Sequence, residues 1–104
     1  MKYELIDWDE EEDEEGNLFH CLQHGVDERV VYEVLREHPV EITLSLKSAE
    51  ISIVGPDSGM VNMWTILFDT SYKRGDWLRP ITGWLSNAAQ IMAWEQATRL
   101  PWRK

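Results

Sequence analysis

Three cationic side chains in the last third of the sequence could together bind a phosphate group. Lys73 and Arg74 stand side by side before a glycine in a predicted turn, and Arg79 lies on the strand that should follow. All three could therefore reach one phosphate and stabilise the negative charge that develops on it during a reaction. Alternatively, Lys73 and Arg74 are a solvated turn tip and Arg79 is an ordinary exposed strand residue.

Two histidines could supply the acid or base for such a reaction. His20 and His24 are four residues apart, which places them on one face of a regular helix. The same spacing could bind zinc, but no spacing selects a third ligand among Cys21, a carboxylate and His38. We therefore expect no metal site. A structural role for His24 is an alternative, since a protonated histidine is favoured near a helix C-terminus.

The charge of the chain is strongly uneven. Eight of its 19 acidic residues are Asp7 and residues 9–15, and without them 11 acids face 10 bases. From residue 70 onward there are six bases and two acids. We expect residues 9–15 to form a solvated acidic loop, because packed carboxylates repel one another. A sharper hypothesis is that this loop covers the basic half in cis, or engages a basic partner.

Capping residues and hydrophobic periodicity predict two helices before the sheet. Asn17 is the expected N-cap of a helix over residues 18–24. Asp27 should cap a second helix that continues to about residue 38, because Pro39 prevents its extension.

The pattern then changes to the alternation that is typical of strands. A short apolar segment with an aromatic residue also predicts a first strand before the acidic loop. The predicted strands cover residues 3–8, 40–46, 49–53, 60–68 and 77–85. Pro80 suggests an edge position or a bulge in the last strand, and Ser86 or Asn87 should cap a final helix over residues 88–100.

The predicted order is therefore β-α-α-β-β-β-β-α, an α+β fold in a single domain covering residues 1–104. Its sheet should be twisted, mainly antiparallel and four- to five-stranded, because the loops between the middle strands are short. Two N-terminal helices and one C-terminal helix are expected to pack on one face of this sheet.

The composition also bears on the compartment. No apolar stretch approaches 18 residues, so we expect no membrane span, and the first residues lack a signal-type apolar segment. Cys21 is the single cysteine, which fits a reducing compartment. We expect a cytoplasmic protein in which Cys21 is a small buried helix residue.

Several short motifs resemble the N-terminal signature of BrnT-like toxins. They are residues 6–9 (Ile-Asp-Trp-Asp), Gly16-Asn17, His20 and His24-Gly25-Val26. In that family a Trp-Asp pair precedes an Asn-containing helix that ends in a His-Gly step. The family's last strand has a pattern of the type Arg-x-Ile-Ser-x-Arg. Here Arg79 stands for the first arginine, Trp84 replaces the second, and Gln23 replaces a basic residue before the His-Gly step.

The resemblance implies a RelE-like ribonuclease fold, a toxin that cuts RNA, and a partner antitoxin protein. Transesterification of RNA needs a base for the 2′-hydroxyl, cations for the phosphorane and an acid for the leaving oxygen. We assign these roles to His24, with His20 as the other candidate base, and to Lys73, Arg74 and Arg79. The expected reaction uses no metal or cofactor, and a homodimer is a further candidate assembly.

A second hypothesis is a non-catalytic relative that keeps the fold as a protein-interaction module. It would use its acidic loop and some of its six tryptophans. Trp8, Trp64 and Trp84 lie on predicted strands and should pack in the core. The other three, Trp77, Trp94 and Trp102, could form an exposed patch near the basic end; a core or interface role is favoured over stacking on bases.

Overall fold

Three helices and four strands make up the part of the chain that the computed structural model describes, which is residues 6–44, 49–71 and 77–102. The strands form one antiparallel sheet in the order β1-β2-β3-β4, so the α+β class is confirmed. The elements in chain order are α1 (Asn17–Gln23), α2 (Glu28–Arg36), β1 (Val40–Ile42), β2 (Ile51–Pro56), β3 (Met63–Thr70), β4 (Leu78–Leu85) and α3 (Ala88–Thr98).

The helices lie on both faces of the sheet, so the prediction of a single helical face is wrong. Successive strand residues point to opposite faces. Ile53 belongs to a core cluster with residues of α1 and α2, whereas its neighbour Val54 packs in a second cluster with Trp94 of α3. Met63 likewise packs in the cluster with Trp94, and its neighbour Trp64 packs in the cluster with α1 and α2. The central strands are consequently buried on both sides.

The described part of the predicted first strand forms a single β-bridge. Ile6 pairs in parallel with Leu78, and the Asp7 N–H donates to the Leu78 carbonyl at 2.7 Å. The rest of that prediction, residues 1–5, lies outside the described residues, as does the predicted turn at residues 47–48. This bridge brings the N-terminal segment alongside the start of β4.

Several strand boundaries differ from the sequence prediction; β3, for example, is Met63–Thr70 where residues 60–68 are predicted. β1 ends at Ile42, and the turn expected from Gly55 begins only at Asp57, because Gly55 and Pro56 pair with β3. The Asp57 carboxylate then accepts the Val61 and Asn62 N–H groups, which orders the turn.

Pro80 occupies the position that its chemistry predicts. β4 is an edge strand of the described sheet, and its register against β3 shifts between Leu67, opposite Thr82, and Phe68, opposite Pro80. Ile81 is therefore the extra residue of a bulge, where the missing N–H of proline is tolerated.

Two of the three predicted caps are confirmed. The Asp27 carboxylate accepts the Val30 N–H at 2.8 Å, and Asn87 forms a capping box with Gln90. Asn17 is not a cap: it is the first residue of α1, and Gly16 holds the N-cap position without a side-chain bond. In the described residues no helix is long and apolar enough to cross a membrane.

Glu33 joins α2 to the turn between β2 and β3. It accepts the Arg29 Nε–H at 2.7 Å and the Ser58 N–H at 2.9 Å. The bond from Arg29, followed by that from Ser58, lowers the pKa of Glu33 below its ordinary value of 4.5. A lowered folded-state pKa gives stability that is complete above the ordinary value and is lost as the pH falls through the lowered one.

We therefore expect Glu33→Gln to reduce the loss of stability on acidification. Between about pH 6 and about pH 3 the unfolding free energy of the wild type should fall more steeply than that of the variant. Urea denaturation at several pH values measures both slopes. Glu28→Gln, which changes an exposed glutamate of the same helix, should keep the wild-type slope. Equal slopes for the wild type and Glu33→Gln would contradict the role assigned to this carboxylate.

Candidate functional site

Arg79, the first arginine of the last-strand motif, is held by two carboxylates. Its Nη1 and Nη2 donate to Asp9 Oδ1 at 3.0 Å and Oδ2 at 2.5 Å, and Nη1 lies 3.7 Å from Asp7 Oδ2. Asp7 in turn accepts the Ser71 hydroxyl at 2.6 Å. The side chains of Arg79, Asp9 and Asp7 are 21%, 20% and 11% exposed. We call these three residues the arginine cluster.

The arginine cluster also fixes the start of α1. The Asp9 carboxylate accepts the Asn17 N–H at 2.9 Å, and the Asn17 side chain accepts the Asp9 N–H at 2.8 Å. The Asn17 amide also donates to the Asp7 carbonyl at 2.9 Å. Asp9 therefore satisfies a helix N–H that the N-cap residue leaves open.

Gly16 makes this close approach possible. A Cβ at this position would lie 2.7 Å from Asp9 Cβ and 3.1 Å from the Asp13 carbonyl oxygen. Any larger residue would have to push the Asp9 side chain away from Arg79. The contacts of Asp9 with Arg79 and Asn17 therefore depend on the absence of a side chain at Gly16.

The bidentate contact with Asp9 limits the positive charge that Arg79 can offer to a ligand. Two carboxylates face one guanidinium, so the arginine cluster is formally negative. A charged and bidentate pair is among the stronger hydrogen-bonded contacts in proteins, and its partial burial reduces screening by solvent. A phosphate would have to displace Asp9 before it could form the same two bonds.

The acidic loop contributes to the cluster through one residue. Residues 10–15 are exposed, as expected for a solvated loop, but Asp9 is half-buried. The hypothesis that acids of this loop cover the basic half in cis is supported at Asp9 and Arg79.

His20 lies beside Arg79 in one shallow depression. The depression has a volume of about 330 Å³, and Ile81, Glu14 and Glu15 are among its lining residues. His24, the base assigned from the sequence, is exposed at the end of α1 and is not among the described lining residues. Its ring centroid is 4.9 Å from that of His20. Of the two candidate bases, His20 is the one that shares the depression with Arg79.

The other two cations of the predicted catalytic set, Lys73 and Arg74, lie outside the described residues. Trp84, at the position of the family's second arginine, donates its Nε1–H to Gln90 of α3 at 3.2 Å. It therefore lies on the α3 face of the sheet, away from α1.

Cys21 and the tryptophans are mainly core residues. Cys21 is fully buried, and burial raises the pKa of its thiol to about 11, so it is no thiolate nucleophile at neutral pH. Trp64 and Trp94 are buried, and Trp102 packs edge-on against Trp94 at 6.1 Å. The alternative of an exposed patch is therefore not realised around Trp94, in agreement with the favoured core role. Within the described ranges, no group of three or more His, Cys, Asp or Glu residues is arranged to hold a metal ion.

The motif residues Asp9, Asn17 and Arg79 thus meet in space, although Asp9 and Arg79 are 70 positions apart in the chain. No family model, curated protein or solved structure matches this chain. The BrnT-like assignment therefore stays a prediction based on the motifs. Sequence reasoning missed Asp7 and Ser71 as members of this network, and no local signal pointed to Ser71.

Proposed function

We propose that this chain is a non-catalytic relative of the BrnT-like toxins that acts by binding a protein partner. The observation that carries the proposal is the bidentate pairing of Arg79 with Asp9. In the ribonuclease hypothesis this arginine must stabilise a phosphorane. Here its guanidinium already holds a carboxylate and supports the fold.

The energetic argument follows from the cost of releasing Arg79. Hydrogen bonds that involve charged groups contribute about 1.5 to 3 kcal/mol each. RNA binding would break two such bonds and leave Asp9 partly buried and without them. Glu14 and Glu15 line the same depression, so an incoming phosphate would also meet like charge. These terms oppose phosphate binding at this place.

The proposed partner is a protein of the antitoxin type, and the proposed compartment is the cytoplasm. A net charge of −9 favours a partner with basic residues, because complementary charge speeds association and selects partners.

Expression of the wild-type chain in a bacterial host tests the proposal directly. We expect growth at the rate of an empty-vector culture and no new cleavage products in total RNA. The purified chain should leave a labelled single-stranded RNA intact over a long incubation. Growth arrest together with RNA cleavage by the purified chain would disprove the proposal.

The second candidate is the ribonuclease toxin, and one observation favours it: His20 and Arg79 line one depression. If the wild type arrests growth, His20→Ala should abolish the arrest while His38→Ala, which changes an exposed histidine elsewhere, should keep it. Arg79→Ala alone would be ambiguous, because it also removes the salt bridge that organises α1.

A further inference from the structure

An apolar groove lies on the α3 face of the sheet. Its volume is about 570 Å³, and it lies between the sheet and α3. The sheet contributes Leu67 of β3, which is 3% exposed, and the partly exposed Trp84 of β4. Ile42 and Leu44 also line the groove, and Ala89 and Ala93 are its contributions from α3.

A polar side chain, Gln90, contributes to the lining of the groove. Gln90 is 8% exposed, and its Oε1 accepts from Thr65 Oγ1, Trp84 Nε1 and the Asn87 N–H. Because the Trp84 and Asn87 groups can only donate, the oxygen position of this amide is fixed. Its Nε2 belongs to a side chain that lines the groove, where a ligand's carbonyl oxygen could accept from it in place of solvent.

The described lining of the groove is mainly apolar. No described residue that lines the groove is charged. This contrasts with the chain as a whole, in which 28% of residues are charged. Contiguous apolar surface of this kind marks interaction sites in soluble proteins.

Acidic residues lie at one end of the groove. Ile42, Thr43 and Leu44 also line an adjoining depression to which Glu41 and Glu50 contribute. The carboxylates of Glu41 and Glu50 at this end favour a basic occupant.

We infer that the groove between α3 and the sheet binds a segment of another protein whose apolar side chains are flanked by Lys or Arg. This inference rests on the proposed function and specifies its surface and the chemistry of its partner. The apolar side chains fill the groove, the flanking cations meet Glu41 and Glu50, and a backbone carbonyl accepts from Gln90.

A displayed library of random short peptides, selected on the full wild-type chain, is the probe for this inference. Selected peptides should combine apolar residues with Lys or Arg, and their binding should weaken as salt is raised. Ala89→Arg places a long cation at an exposed position in the groove and should weaken binding at least about tenfold. Gln96→Arg adds the same charge to α3 outside the groove and should change binding by less than about twofold.

Several results would overturn the inference. They are a selection that enriches no peptide, enriched peptides without basic residues, and peptides that bind Ala89→Arg as tightly as wild type. Light scattering of the wild type and of Ala89→Arg measures the oligomeric state. A wild-type dimer that Ala89→Arg converts to a monomer would also overturn the inference, because the groove would then bind a second copy of the chain. The expression test is independent of the groove. Growth arrest together with RNA cleavage would refute the proposed function, whereas failed selection with harmless expression would refute this inference only.

Discussion

Asp9→Ala is expected to lower the free energy of unfolding by about 3 kcal/mol, the lower end of the roughly 3–5 kcal/mol that is lost when one partner of a buried ion pair is removed. The substitution leaves the partly buried Arg79 guanidinium without its bidentate carboxylate and the Asn17 N–H without its acceptor. Urea denaturation followed by far-UV circular dichroism at neutral pH measures the loss. The effect is large for a position inside an acidic loop, where surface substitutions usually change stability by less than about 0.5 kcal/mol.

A double-mutant cycle isolates the contact from other effects of the substitution. Arg79→Ala should also destabilise the chain, but the double variant should be more stable than the sum of the single losses predicts, by about 2 kcal/mol. Glu12→Ala, in the exposed part of the same loop, is the matched control and should stay near wild type. If the losses from Asp9→Ala and Arg79→Ala simply add, the arginine cluster does not couple the N-terminal segment to β4.

Local chemistry was sufficient to predict most of the secondary structure. Asp27 and Asn87 cap helices because their short side chains accept from N–H groups of the first turn, an interaction within three residues. Pro80 marks an edge bulge because it lacks an N–H. The face on which α3 packs was not predictable in this way. Only two residues separate β4 from α3, and nothing local to that connection fixes the side of the sheet to which the helix turns.

The candidate site was less predictable, because its decisive contact is not local. Asp9 lies in a run of acids that repel one another, and from the sequence it resembles its exposed neighbours. Its difference arises from Arg79, 70 positions away, and from the space that Gly16 leaves beside it. The choice between His20 and His24 likewise depends on where α1 crosses β4. The motifs that carry the family resemblance therefore coincide here with contacts that hold the fold together.

The buried indole of Trp94 should produce the largest single loss. Trp94→Ala is expected to cost about 4 kcal/mol, because it removes a fully buried ring that packs against Val54 and Met63. It also removes the Nε1–H that donates to the His38 carbonyl at 2.8 Å and ties α3 to the segment before β1. Urea denaturation followed by far-UV circular dichroism measures the loss without relying on tryptophan fluorescence.

Trp94→Phe keeps the result interpretable even if the alanine variant does not fold. Phenylalanine retains most of the ring and loses the donor, so its cost should be smaller, about 1 to 3 kcal/mol from the carbonyl left without its partner. Met92→Ala changes an exposed residue of the same helix and should stay within about 0.5 kcal/mol of wild type. Since α3 forms one wall of the apolar groove, Trp94→Phe should also weaken binding of the selected peptides, whereas it should leave the arginine cluster intact. If Trp94→Phe is as stable as Met92→Ala, the hydrogen bond from the Trp94 indole to the His38 carbonyl does not hold α3 on the sheet.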